Sequence, residues 1–190
     1  MGITCQLFNI SISTVIFLYM NIRKFIFILV SALLLLTSTY LGFKIWSKLR
    51  QKEKQKTKTQ QLPSLPFHKI DGTILYTSSF AKSTELLVLN YFNPDCEHCQ
   101  SMVKEMFREQ ALLKKTYWLM ITTNTVEKTK QFADSMKLSL LPNVTVLSDT
   151  AYLFARTFGD VPVPSFYVYK DGVLLRKHSG ECSIIYLLRN

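Results

Sequence analysis

The chain has 190 residues, enough for one ordinary globular domain and an appendage. Its formal charge of +10 is concentrated at one end: residues 1–59 hold nine Lys/Arg and one acid, Glu53, whereas residues 60–190 hold fourteen Lys/Arg and twelve acids. That distribution excludes a nucleic-acid footprint spread over the folded part.

Residues 1–24 form an N-terminal segment in which Asn9, Ser11, Ser13 and Thr14 make a poor membrane span. Met20 to Lys24 reads as a natural start for a membrane anchor, leaving residues 1–19 as an over-long start or a weak hydrophobic segment. Phe25 to Phe43 is nineteen residues without a charge. At about 1.5 Å per residue such a helix spans roughly the hydrocarbon core of a bilayer. Arg23 and Lys24 precede it, and neither an A-x-A-like cleavage signal nor a lipid-acceptor cysteine comes after it, so residues 25–43 are expected to be an uncleaved transmembrane anchor. Residues 44–61 read as a basic linker. Its Lys44, Lys48, Arg50, Lys52, Lys54, Lys56 and Lys58 suit anionic lipid head groups or a solvated spacer.

Leu62-Pro63-Ser64-Leu65-Pro66 opens the domain expected over 62–190. Phe67–Ile70 and Thr73–Tyr76 flank Asp71-Gly72, a hairpin signal. Leu86 to Phe92 reads as a buried strand, and Cys96 to about Leu113 as a helix with Met102, Val103, Met106, Phe107 and Leu113 inward. Next come a strand over Tyr117–Thr122, a helix over Val126–Met136 and a strand over Val144–Leu147. Asp149 to Phe158 reads as a helix with Asp149 as N-cap. Ser165–Tyr169 and Val173–Lys177 form a hairpin about Asp171-Gly172, and Ile184–Leu188 a last short helix. Alternation of this kind predicts an α/β fold with a mixed central sheet flanked by helices.

Cys96-Glu97-His98-Cys99 lies at the junction of the buried strand and the first domain helix. Two thiols at this spacing can close a disulfide across one helical turn. Helix N-termini stabilise thiolates, so Cys96 is expected to be the attacking thiol. Cys99, one turn on, is expected to resolve the mixed disulfide. His98 when protonated adds positive charge, and Glu97 works against it. Zinc is not expected, because a structural site needs four ligands and Cys5, Cys182, His68 and His178 are scattered. Val161-Pro162-Val163-Pro164-Ser165 puts a proline at the mouth of a strand. A cis Val163–Pro164 bond would bring the Val163 backbone beside Cys96, where its N–H and C=O can pair with an extended peptide.

These residues resemble the thioredoxin superfamily, and within it the membrane-tethered TlpA/ResA-like bacterial thioredoxins. The resemblance rests on Val88 to Cys99, on Val163-Pro164-Ser165 and on the Asp171-Gly172 hairpin, and covers about residues 62–190. It implies a thioredoxin-like fold with an N-terminal β-hairpin and an inserted α-β unit over about Thr125 to Leu147. It also implies a disulfide oxidoreductase with Cys96 as nucleophile, Cys99 as resolving thiol and Pro164 as the cis-proline of the substrate groove, needing no cofactor. The partners implied are a substrate protein with thiols or disulfides and an upstream dithiol donor. Two positions depart from the pattern. Asn90 stands where cytosolic thioredoxins carry a buried Asp that helps deprotonate the second cysteine. Asp95 replaces the usual aromatic, and its charge is expected to disfavour the Cys96 thiolate and make the pair more reducing.

Sidedness has two opposed signals. The seven positive charges after the span favour a cytoplasmic domain, whereas disulfide chemistry favours an oxidising compartment. The expectation is a single-pass protein of the bacterial cytoplasmic membrane, its domain facing the periplasm or exterior. A non-catalytic peptide-binding or assembly module with a structural disulfide is the alternative. A peroxiredoxin-type peroxidase is disfavoured, because no Ser/Thr stands between Pro94 and Cys96.

Overall fold

The computed structural model describes residues 3–189, with side chains for Lys24, Ile26, residues 28–50 and residues 57–189. The readings that fall on the side chains of residues 1–23, Cys5 among them, and of residues 51–56 lie outside the described residues. The chain divides into two compact units, residues 1–52 and 53–190.

The first unit is a helix, α1, which runs over Ile3–Gln60 and so continues into the second unit. Within it Ile28–Arg50 is long and apolar enough to cross a membrane. Leu33, Leu34, Leu35 and Leu36 are all exposed. The hydroxyls of Ser31, Thr37, Ser38 and Ser47 donate to carbonyls one turn back, at 2.9–3.0 Å. These four hydroxyls are thus satisfied within the helix itself. Near its C-terminal end the Arg50 guanidinium lies 3.8 Å from the Trp46 ring centre, a pairing suited to a head-group interface.

The stretch read as a linker, 44–61, is helical through Gln60. Its Lys, Gln and Glu are good helix formers, and no Gly or Pro interrupts them before Pro63. Its end belongs to the domain. Thr59 is buried, with its carbonyl accepting from Tyr169 Oη at 2.9 Å, and the Leu62 N–H donates to Gly172 O at 2.7 Å.

The second unit holds seven strands: β1 (Pro66–Lys69), β2 (Ile74–Tyr76), β3 (Leu86–Tyr91), β4 (Thr116–Thr122), β5 (Val144–Ser148), β6 (Ser165–Lys170) and β7 (Val173–Ser179). They form one sheet in the order β2-β1-β5-β4-β3-β6-β7. β3, β4 and β5 are parallel; β1 joins β5, and β6 joins β3, antiparallel. The helices are α2 (Glu97–Arg108), α3 (Gln110–Leu113), α4 (Val126–Ser135), α5 (Leu153–Phe158) and α6 (Ile184–Leu188).

Strand alternation sorts the core onto two faces. Val88, Phe92, Trp118, Met120, Phe166 and Val168 share one cluster with Cys99, Met102, Val103 and Met106 of α2. Positions 99, 102, 103 and 106 obey the i, i+3, i+4, i+7 spacing of a helix face, and burying each apolar side chain contributes roughly 1.5–3 kcal/mol. Leu87, Leu89, Leu119, Ile121, Tyr167 and Tyr169 face the opposite cluster, with Phe154 and Phe158 of α5.

One expected boundary moves. The helix read from Asp149 begins at Leu153, because Tyr152 takes a left-handed φ of 56°. Asp149 still acts as a cap, its two carboxylate oxygens accepting from the N–H groups of Leu153 and Phe154 at 2.8 Å each.

Candidate active site

The parallel strands end on the side of the sheet where β3 runs out at Tyr91. Beyond it, Asn93 makes a tight turn: its side chain accepts from the Asp95 N–H at 3.1 Å and its carbonyl from the Cys96 N–H at 3.1 Å. Gln100 braces the turn by donating to Pro94 O at 2.8 Å. This geometry delivers Cys96 in extended conformation to the N-cap of α2. Its carbonyl takes the N–H groups of Cys99 and Gln100 at 3.0 and 3.1 Å, while its thiol makes no cap bond.

Cys96 is half-buried and Cys99 is 2 % exposed. Burial pushes the Cys99 thiol up to about 12. A bond involving the Asn93 backbone opposes this, while Cys96 and the Glu181 charge reinforce it. Cys96, Cys99 and Cys182 are free thiols.

The Val163–Pro164 peptide is cis, and the Val163 carbonyl lies 4.0 Å from Cys96 Sγ. The two ends of the site, far apart in sequence, therefore meet. The proline loop is held by Ser165 Oγ, which donates to Pro162 O at 2.6 Å and contacts Ser179 Oγ at 2.9 Å. The Gly180 N–H donates to Pro164 O at 2.8 Å.

The residues flanking the cysteines face solvent. Asp95 and Glu97 are exposed, and Glu97 occupies the first turn of α2, where a carboxylate suits the helix dipole. His98 Nδ1 pairs with Glu181 Oε1 at 3.2 Å, the two side chains being 71 % and 45 % exposed. Glu181 carries no motif signature, and only the return of the chain after β7 brings it here. His178 packs edge-on against Tyr186 and sets its Nε2 3.3 Å from Glu181 O. Cys182 is half-buried against the cluster that holds Cys99, with burial pushing its thiol up to about 12 and the Glu105 charge adding to this.

Asn90 sits on β3 in alternation with Val88 and Phe92, on the face that packs on α2. It is 3 % exposed, and its Nδ2 has no hydrogen-bond partner among the described residues. No group of three or more His, Cys, Asp or Glu side chains is arranged to hold a metal among the described residues.

Among solved structures, DsbF of MTB, in mixed oxidised and reduced forms, superposes with a TM-score of 0.57 at 19% identity, over 70% of this chain and 92% of that one. A secreted Mycobacterium tuberculosis disulfide oxidoreductase homologous to E. coli DsbE gives 0.53 at 18% identity, over 67% and 88%. The domain has the thioredoxin fold. A peroxiredoxin-like protein from Aquifex aeolicus shares the thioredoxin fold too, with a TM-score of 0.52 at 14% identity over 65% and 80%. At such identities the thioredoxin fold is common ground, and the chemistry has to be argued from the site. No family model matches the sequence. No curated protein matches it either.

Proposed function

We propose that this chain is a membrane-tethered thiol–disulfide oxidoreductase that exchanges electrons with protein cysteine pairs, acting as a reductant. The observation that carries this reading is the placement of Cys96: a half-buried thiol at the N-cap of α2, 4.0 Å from the Val163 carbonyl, with Cys99 one turn behind it. Cys96 attacks a partner disulfide, and Cys99 displaces the partner. Val163 and Pro164 line the place where the partner's backbone lies, and Asp95, Glu97 and His98 set the local charge.

The apolar helix over Ile28–Arg50 supports a membrane tether, and disulfide chemistry favours a domain on the periplasmic or outer side. No resident cofactor is needed, since the two cysteines hold both electrons. The domain is read as residues 62–190, and the bonds of Thr59 and Leu62 to it support including the end of α1.

The test uses the full chain in detergent, supplied with dithiothreitol and a disulfide protein. Cys96→Ser is expected to abolish reduction, and equal rates in the variant would overturn the assignment. A membrane-impermeant thiol reagent applied to intact cells reads the side on which Cys96 lies.

A binding module remains a second reading because of Asn90, which leaves the resolving thiol without a buried acid. Cys99→Ser separates the two. Covalent partner complexes trapped through Cys96 support exchange, and their absence with retained peptide binding supports the module.

A further inference from the structure

The helix α1 does not end where its apolar character does. Ile28–Arg50 is long and apolar enough to cross a membrane, yet α1 runs on to Gln60. Lys44, Lys48, Arg50, Lys52, Lys54, Lys56 and Lys58 fall in this last part, against a single acid, Glu53. The thiol chemistry proposed above makes no use of these seven charges.

Like charges at i, i+4 repel one another and weaken a helix in water. Lys44, Lys48, Lys52 and Lys56 follow at that spacing, and Arg50, Lys54 and Lys58 form a second such series. One carboxylate cannot offset seven cations. Anions from outside the chain would, and the position of the cations along the helix says which anions those are.

The first three cations stand among rings. Lys44 Nζ lies 5.9 Å from the Tyr40 ring centre, and the Arg50 guanidinium 3.8 Å from that of Trp46. In both pairs the cation follows its ring by four residues. Amphipathic rings and cations on long apolar stems gather at the level of lipid head groups. Ile45, Trp46 and Leu49, in the same turns, are apolar and exposed, which suits contact with the adjoining acyl chains. In a helix standing upright, Lys44 to Arg50 covers about 9 Å, against a head-group layer of about 5–8 Å. Lys52 to Lys58 then stand about 3–12 Å farther out, around one Debye length at physiological salt.

We propose that Lys44, Lys48 and Arg50 form a binding site for the phosphates of anionic phospholipids. The lysines from Lys52 to Lys58 add an attraction that fades with distance. This rests on the reading of Ile28–Arg50 as a membrane span, and not on the thiols.

The test uses the full chain in phosphatidylcholine bilayers, with Trp46 as reporter. Trp46 is 51 % exposed, whereas Trp118 is fully buried in the domain and gives a constant background. A minor share of the lipid is replaced by phosphatidylglycerol or phosphatidylcholine brominated on its acyl chains, at equal mole fractions. Bromine quenches an indole beside it, so quenching reads which lipid sits against the helix. Both leaflets hold the same lipids, so the result does not depend on the side the domain faces. Phosphatidylglycerol is expected to associate about fivefold or more tightly than phosphatidylcholine at low salt. The preference should shrink toward unity near about 1 M salt. Lys44→Gln, Lys48→Gln and Arg50→Gln together should bring it within about twofold of unity. Lys52→Gln, Lys54→Gln, Lys56→Gln and Lys58→Gln together should leave it above about threefold, although more charges are removed.

Equal association of the two lipids with the unaltered chain would overturn the proposal, and that result needs no variant. So would a preference undiminished by salt, one that survives loss of the three inner charges, or one lost more fully with the outer four. Quenching of Trp46 by neither brominated lipid would instead remove the membrane-span reading, and this inference with it.

Discussion

The Cys96 thiol and the Val163 carbonyl stand 4.0 Å apart, although they come from opposite halves of the domain. One sulfur of the pair thus stands beside the Val163 backbone while the other, Cys99, lies buried under the helix. The difference has a chemical consequence. A thiol held up at about 12 is almost wholly protonated at neutral pH and is a poor nucleophile. In the reduced full chain, iodoacetamide at neutral pH is expected to alkylate Cys96 first, with Cys99 slower by at least about a hundredfold. Labelling of Cys99 should rise steadily as the pH climbs toward that value. Mass spectrometry of the peptides checks this, and equal labelling at neutral pH would contradict the burial argument.

Asp149 joins burial to a helix start. Its bonds to Leu153 and Phe154 favour the carboxylate, but desolvation outweighs them and its ionisation lies above the ordinary carboxyl value. The native state therefore holds this proton more tightly than the unfolded chain. The stability so conferred is complete below the unfolded carboxyl range and is lost as the pH rises through the native value. Asp149→Asn has no such titration. Measured by thermal unfolding of the full chain, its stability relative to the unaltered protein should improve as the pH rises from about 4 to about 7. Asp149→Ala, which abandons two helix N–H groups, is expected to cost about 1–2 kcal/mol.

Two buried tyrosines on β6 should respond in opposite senses to loss of the hydroxyl. Tyr169 donates to Thr59 O at 2.9 Å, whereas Tyr167 Oη has no hydrogen-bond partner among the described residues. Tyr169→Phe should lose about 1 kcal/mol. Tyr167→Phe should be neutral or gain up to about 1 kcal/mol, because it removes an unpaired polar atom from the core. Urea titrations in detergent that rank the two the other way would refute the assigned bonding.

Gly72 and Gly172 both close hairpins with positive φ, at +84° and +74°. A Cβ at Gly72 meets nothing within 4 Å, whereas at Gly172 it would lie 2.9 Å from the Ala81 carbonyl oxygen. Gly72→Ala should cost only the backbone strain, about 1–2 kcal/mol. Gly172→Ala should cost that and about 1–3 kcal/mol more, because Ala81 is backbone and yields poorly. Comparable melting temperatures for the two variants would show that the close approach does not matter.

Periodicity made most of the domain legible. The expected inward stripe of Met102, Val103, Met106, Phe107 and Leu113 is buried except for Phe107, which is partly exposed, and the helix read from Cys96 to Leu113 ends at Arg108 with a short α3 over Gln110–Leu113, while Leu86 to Phe92 stands within a residue of its expected limits. The Cys96–Cys99 spacing and the proline before Ser165 marked the site for the same reason. Local rules failed where tertiary contacts decided. Nothing near Tyr152 in sequence announces its left-handed turn, which delays α5. Helix propensity from Lys44 to Gln60 prevailed over the polar, unpatterned look of the segment. Glu181 was illegible for a different reason. Its pairing with His98 depends on how the chain returns after β7, and no spacing rule encodes that.

The bonds of Thr59 to Tyr169 and of Leu62 to Gly172 fix where the end of α1 meets the sheet. β6 starts at Ser165, beside Tyr91 and the thiols, and Gly172 lies past its other end. Six strand residues at about 3.3 Å each separate the two poles by roughly 20 Å. Contacts made at the sulfur end thus leave the bonds of Thr59 and Leu62 untouched.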